Sequence, residues 1–336
     1  MKSRLNKLYS CLKKQKLDGL LVSNPTNVSY LSNLQSENIC LFLSPGFNRQ
    51  IKGPKLSEEI QRFSSRLKLK RLGFEENSLV YARYKQLKNH LLSTKLVPTA
   101  NMVEELREIK DPGELKTIRK AILIAENAFR SVLGFIKPGL RERDIAGRID
   151  SFLKASGARE PSFPVIVTSG ERTSLPHGCP TSKRLRQNQP VLIDLGACFN
   201  GYSSDLTRMI FLGKMTSRFR KTYNLLIGAQ NRAIKKIAPG VRACDVDRAA
   251  RSYLGKHGLA KYFVHGLGHG VGRAVHERPT ISPNNTAKLK KGMVLTVEPG
   301  VYIPKWGGIR IEDMVLVTNR GCKLLSSLSR SISPSV

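Results

Sequence analysis

Leu5, Leu8, Leu12 and Leu17 recur at helical spacing among Lys and Arg, which predicts an amphipathic helix over residues 3–17. A continuous apolar run at 19–22 then reads as a buried strand. Asn24-Pro25 reads as a turn, followed by another apolar stretch over 28–34. Further short strands are predicted at 41–43 and 70–74, with helical patterns near 58–68 and 82–92. This alternation predicts a small α/β domain over residues 1–105. The next signal is Asp111-Pro112-Gly113-Glu114. Asp111 can cap a helix, proline is tolerated at its first position, and Glu114 stands where a capping box places a carboxylate. Helical periods then run to about 135 and over 142–156, 221–237 and 243–257. The strands among them fall at 165–168, 191–195, 205–211, 293–297 and 314–317. A helix pair followed by strands occurs twice, which suggests an internal duplication within a second domain at 106–330. The final SRSISPSV reads as a frayed tail.

Composition narrows the class. Among the 336 residues, 40% are hydrophobic, so a packed core is expected rather than disorder. No run reaches the roughly 18–20 apolar residues that span a bilayer, so no membrane partner is expected. The N-terminus lacks a continuous apolar segment and a small-residue cleavage site, and a cytoplasmic location is the expectation. Six scattered cysteines with no C-x-x-C pair argue against a zinc ribbon or a disulfide framework. The charge is unusual: 57 Lys and Arg against 25 Asp and Glu give +32, with +11 in the first 110 residues and +21 in the remainder. Such a field allows non-specific polyanion contact. No aromatic-interleaved basic motif, helix-turn-helix signature or RNP-like strand accompanies it, and a solvated basic surface is the plainer reading.

The candidate chemistry lies beyond residue 170. Asp194 ends the apolar run VLIDLG, and Asp205 opens the next strand eleven residues on, in GYSSDLTR. Two strands joined by a turn can bring both carboxylates to one sheet edge. A divalent cation between them would remove their mutual repulsion. His265 and His269 stand four apart in the glycine-rich HGLGHG, with His276 seven residues beyond. Glu298 ends VLTVEPG, and Glu312 interrupts GIRIEDMVLV. Taken singly, an Asp at a strand end is usually a turn cap and a lone His a satisfied polar side chain. Together, two Asp, one His and two Glu make a hard, oxygen-rich donor set suited to Mn, Co, Fe or Zn ions sharing carboxylates.

The order Asp194, Asp205, His269, Glu298, Glu312 resembles the metal-ligand signature of the family of methionyl aminopeptidase, aminopeptidase P, prolidase and creatinase. The resemblance covers residues 102–326 and rests on TSGERTSLPHG, VLIDLG, HGLGHGVG, VHE, GMVLTVEPGVYIP and GGIRIEDMVLVT. It implies an α/β (α+β) chain with a small creatinase-like N-terminal domain. The pita-bread catalytic domain that follows would have pseudo-twofold internal symmetry. It also implies two divalent metal ions, with Mn the first expectation and Co, Zn or Fe the others. Asp205 and Glu312 would bridge them, Asp194 would complete one site, and His269 and Glu298 the other. His177, His265 and His276 match histidines that bind substrate or stabilise the tetrahedral intermediate, and Arg310 an arginine that holds a ligand. Within that scheme Glu298 would relay the proton, His265 or His276 stabilise the oxyanion, and His177 seat the proline end.

PSFPVIVTSGERTSLPHG and GVYIPKWGGIRIEDMVLVT are similar to the Xaa-Pro peptidase subgroup. KKQKLDGLLVSNPTNVSYLSN resembles the start of the creatinase/prolidase N-terminal domain, which methionyl aminopeptidases lack. The resemblance therefore implies hydrolysis of Xaa-Pro peptides or dipeptides by a homodimer. No D-G-R-Y-like strand is evident between Leu43 and Leu72, so the N-terminal domain reads as shortened. The rival readings are a methionyl aminopeptidase, a C–N hydrolase of guanidino compounds, and a non-catalytic pita-bread protein that binds RNA or ribosomes through its basic surface.

Overall fold

A computed structural model describes residues 2–34, 39–53 and 55–335. Internal contacts divide the chain into two compact units, Met1–Arg107 and Glu108–Val336. In the first, helices α1 (Lys2–Lys14), α2 (Pro25–Ser32), α3 (Leu56–Arg66), α4 (Tyr81–His90) and α5 (Met102–Glu108) accompany five strands. These are β1 (Gly19–Val22), β2 (Ile39–Ser44), β3 (Phe47–Lys52), β4 (Arg71–Glu75) and β5 (Lys95–Thr99), in the order β3-β2-β1-β4-β5. The expected opening helix is present, and its Leu8 and Leu12 are fully buried.

Two details of this unit differ from the sequence reading. The apolar stretch after Asn24-Pro25 is a helix. The Asn24 side chain accepts from the Thr26 and Asn27 amides, and Pro25 takes the first turn, where it forfeits no hydrogen bond. A strand, β3, also stands between Leu43 and Leu72, although nothing in FNRQIK alternates. It lies at the sheet edge, where only Ile51 needs burial.

The second unit opens with α6 (Pro112–Leu133), which has the expected capping box: the Glu114 amide donates to Asp111 and the Asp111 amide to Glu114. Then come α7 (Glu142–Ala155), β6 (Glu160–Pro161), β7 (Ile166–Ser169), β8 (Gln189–Leu195), β9 (Ala197–Phe199), β10 (Tyr202–Ser203) and β11 (Leu206–Leu212). The second stretch holds α8 (Ser217–Lys236), α9 (Ala243–Lys256), β12 (Gly268–Gly270), β13 (Glu277–Ile281) and β14 (Val294–Val297). It ends with β15 (Gly300–Ile303), β16 (Gly307–Arg310), β17 (Asp313–Val317), β18 (Cys322–Leu324) and β19 (Ser333–Ser335). Helix α8 begins earlier than its apolar period suggests, because the Thr216 hydroxyl accepts from the Phe219 amide and caps it.

Each half places a helix pair over a sheet. Ile124, Phe129, Ile145 and Ile149 of α6 and α7 pack with Val167 and Ile193 of the sheet β19-β11-β8-β7. Leu226, Ala229, Val246 and Ala250 of α8 and α9 pack with Leu295 and Val315 of the sheet β13-β12-β14-β17-β18. Burying a Leu, Ile or Val side chain of this kind contributes about 1.5–3 kcal/mol. The tail is not frayed as expected: Arg208 donates to the carbonyls of Leu328 and Ser329, Glu126 accepts from Ser327, and β19 pairs in parallel with β11. Among the described residues no helix is long and apolar enough to cross a membrane.

Candidate metal centre

Strands β8 and β11 pair antiparallel with Thr207 opposite Asp194, and Asp205 stands one residue before β11. Asp194 and Asp205 therefore reach the same end of a buried hairpin. His269 occupies the middle of β12, flanked by glycines. A Cβ on Gly268 would lie 2.2 Å from the Thr296 carbonyl oxygen, and one on Gly270 2.2 Å from that of Arg278. The glycines let β12 press against its neighbours at the point where the imidazole emerges. Glu298 follows β14, fixed by its amide to the Leu267 carbonyl, and Glu312 lies between β16 and β17 with its amide on the Thr207 carbonyl.

Ligand atoms of Asp205, His269 and Glu312 all lie within 4.8 Å of one another. His269 Nε2 is 3.6 Å from Asp205 Oδ2 and 3.3 Å from Glu298 Oε1. His269 Nδ1 donates to the Gly270 carbonyl at 3.0 Å, which turns Nε2 toward the carboxylates. Asp194 is held by Arg310, NH2 to Oδ2, at 2.6 Å.

Burial and mutual repulsion act on all of these carboxylates. Burial raises Asp205 well above the usual carboxylate range, the Asp194 charge raises it further, and His269 pulls back. Burial likewise raises Glu312, with Asp205, Glu298 and Asp194 adding to the effect. Asp194 is raised by burial against the opposing pull of Arg310. Burial pushes His269 down, but its hydrogen bond to Glu298 and the charges of Glu298 and Asp205 outweigh this and lift it to about 9. Burial would raise Glu298, yet the His269 hydrogen bond and charge bring it below its ordinary value. Asp194 Oδ1 and Glu312 Oε1 are buried with no hydrogen-bond partner among the described residues. Crowded carboxylates, orphaned oxygens and one oriented imidazole fit hard or borderline divalent cations, which would compensate the buried negative charge and take the place of the His269 proton.

Further residues brace this set. Arg310 Nε donates to Thr207 Oγ1 at 3.1 Å, and Thr207 Oγ1 donates to Glu312 Oε2 at 2.8 Å. Thr296 Oγ1 accepts from the His269 amide and donates to Glu298 Oε1 at 3.2 Å. Arg310 NH1 donates to Tyr302 Oη at 2.7 Å and to the Pro176 carbonyl at 3.1 Å. His265 Nδ1 donates to the Gly266 carbonyl at 2.7 Å, and burial lowers its pKa. In that neutral form Nε2 accepts from Tyr302 Oη at 2.9 Å, which occupies the nitrogen that an oxyanion would need. His276 is exposed, its ring centroid 4.3 Å from that of His269, and His177 sits exposed beside Pro176.

Thr207, Thr296 and Tyr302 were not singled out from sequence. The two threonines were findable, since Thr207 stands two residues after Asp205 and Thr296 two before Glu298. That spacing puts each on its ligand's side of the chain wherever backbone is extended. Tyr302 sits in GVYIP without any such mark.

The family model for metallopeptidase family M24 matches residues 116–319, and that for the creatinase/prolidase N-terminal domain matches 4–67 and 46–109. The chain belongs to metallopeptidase family M24. It is 36% identical to a Xaa-Pro dipeptidase of Pyrococcus furiosus, covering 99% of this chain and 100% of the relative. It is 35% identical to an uncharacterized peptidase of Bacillus subtilis, covering 96% and 97%. Among solved structures, a Xaa-Pro dipeptidase from Bacillus anthracis superposes with a TM-score of 0.95 at 31% identity, covering 98% and 99% of the two chains. An X-Pro aminopeptidase from Thermotoga maritima gives 0.89 at 30% identity, covering 94% and 97%.

Proposed function

We propose that this M24 chain is a two-metal peptidase that hydrolyses the Xaa-Pro bond, with dipeptides as its first substrate. The observation that carries the reading is the convergence of Asp205, His269 and Glu312 within 4.8 Å, braced by the buried Arg310 fork. The names of the full-length relatives support the substrate. Asp205 and Glu312 would be shared between the ions, Asp194 would serve one, and His269 and Glu298 the other. When bound, the ions polarise the scissile carbonyl and acidify a water. Glu298 moves the proton. His276, whose ring is open to solvent, stabilises negative charge on the carbonyl oxygen, while His265 is committed to Tyr302 and shapes the wall. His177 seats the proline end, and proline suits such a pocket because its nitrogen has no N–H to satisfy.

The experiment is cleavage of Ala-Pro, of a longer Xaa-Pro peptide and of Met-Ala-Ser by protein stripped and reloaded with Mn or Co. Cleavage before proline that vanishes in Asp205→Asn supports the reading, and the ratio of dipeptide to longer peptide separates dipeptidase from aminopeptidase. No cleavage with two metals bound refutes it. Manganese as the resident metal, a homodimer, a cytoplasmic location and a boundary between domains at 1–105 and 106–330 belong to the same proposal. Metal analysis and sedimentation of the purified protein check the first two. Helix α8 carries six Lys and Arg and no acidic residue, which favours non-specific polyanion contact beside the peptidase activity.

A further inference from the structure

Helix α7 opens with Glu142, whose side chain is completely buried. None of its hydrogen bonds goes to the metal-type ligands. Oε1 accepts from the Ser169 amide at 2.8 Å and the Ser169 hydroxyl at 2.9 Å. Oε2 accepts from the Thr181 amide at 3.1 Å, the Thr181 hydroxyl at 2.8 Å and Arg172 Nε at 3.2 Å. One carboxylate thus gathers five donors from Ser169, Arg172 and Thr181, which flank the stretch 173–180. Arg172 spans the same segment by donating to the Cys179 carbonyl at 2.6 Å, and Lys183 Nζ donates to the Ser169 carbonyl at 2.8 Å. The α7 backbone adds the Glu142 amide on the Lys183 carbonyl and the Arg143 amide on the Thr181 carbonyl.

Between these ends the chain carries His177, and it has little apolar anchorage. Leu175 is 46% exposed and His177 is exposed. On its inner side the segment touches the centre through Pro176, whose carbonyl accepts from Arg310, the residue that also holds Asp194. The segment is therefore set by polar contacts: Arg310 toward the metal ligands, the Gly308 amide on Thr173 Oγ1 at 2.7 Å, and Glu142 at its base. Hydrogen bonds to an ionised carboxylate are about twice as strong as neutral ones, and a carboxylate can accept at about four lone-pair sites without donating. An amide in its place would turn an N–H₂ toward donors.

We propose that Glu142 is the positioning residue of the His177 segment, fixing where that histidine meets substrate and so setting substrate affinity rather than turnover. The inference rests on the reading of His177 as the contact for the proline end. Glu142→Gln, His177→Ala and the double variant are compared on Ala-Pro, with metal content and hydrogen exchange of residues 170–180 measured in parallel. Glu142→Gln raises KM on the order of tenfold, the scale of one lost charge-assisted hydrogen bond, with kcat and metal content little changed. Its exchange rises in 170–180 and not across β8 and β11. The double variant is no worse than His177→Ala alone, because both changes act through one histidine. Thr181→Val, which deletes one donor to Glu142 together with the acceptor of the Lys183 amide, shows the same pattern more weakly and serves if Glu142→Gln does not fold. Additive effects, a fall in kcat at unchanged KM, or unaltered exchange in 170–180 would each overturn the proposal. If the wild type cuts no Xaa-Pro peptide, the functional reading falls. Exchange confined to 170–180 then still supports the clamp, and its absence overturns it.

Discussion

Asp205→Asn is expected to have opposite effects on stability with and without metal. In the metal-free protein, oxygens of Asp205 and Glu312 lie within 4.8 Å, and both side chains are buried. At an effective dielectric of about 20, two like charges near 5 Å repel by about 3 kcal/mol. Burial and then the Asp194 charge raise Asp205 well above the usual carboxylate range, and protonated His269, 3.6 Å away, returns only part of that. Replacing the carboxylate with an amide of the same shape should therefore stabilise the metal-free protein by about 1–2 kcal/mol, a part of that repulsion. At about 2–4 °C per kcal/mol for a unit of this size, Tm rises by about 2–8 °C. A carboxylate whose folded pKa is raised contributes stability in full below its unfolded pKa, and that contribution is lost as pH rises through the folded value. The advantage of the variant thus grows as pH rises above the ordinary carboxylate range. With ions at one hundred times Kd, the wild type gains about 2.7 kcal/mol and the variant, lacking the shared ligand, gains little. The assay is thermal unfolding after chelation and after reloading. A metal-free variant less stable than the wild type at pH 8, or one stabilised equally by metal, would refute the reasoning.

Glu298→Gln, at metal concentrations that keep the ions bound, should lower kcat by about 10²–10⁴, as measured by turnover and metal analysis together. Tyr302→Phe removes the donor to His265 Nε2 and an acceptor from Arg310, and should cost about 1–3 kcal/mol in denaturant unfolding. Gly268→Ala would drive a methyl to 2.2 Å from the Thr296 carbonyl oxygen. It should destabilise by about 1–3 kcal/mol and weaken metal binding, because His269 must shift with its strand. Unchanged metal affinity in that variant would show that β12 yields without moving the imidazole.

The five candidate ligands stand out because each breaks an apolar run at a strand end or a glycine-rich turn, where a charged side chain is conspicuous. Asp111 and Glu114 were legible for a similar reason: a capping box is written within four residues. Strand β3 was not, since an edge strand with one buried side chain has no alternation to read. Helix α2 was hidden by its own cap, because Asn-Pro marks a turn and a helix start equally well. The commitment of His265 to Tyr302 joins residues 37 apart, and the clamp by Glu142 reaches up to 39. Contacts of that range leave no trace in local periodicity.

The candidate ligands come from both sheets, and Glu312 is tied through its amide and its carboxylate to Thr207 of the opposite half. No early segment of the folding chain can therefore present a complete donor set. Closure over the span from Asp194 to Glu312 must come first, which is slow compared with local helix formation. Metal capture by this donor set would then require that both halves of the second unit have already joined, as a final proofreading step would. A chain whose halves have joined out of register would remain metal-free, and inert, instead of becoming a badly aligned hydrolase.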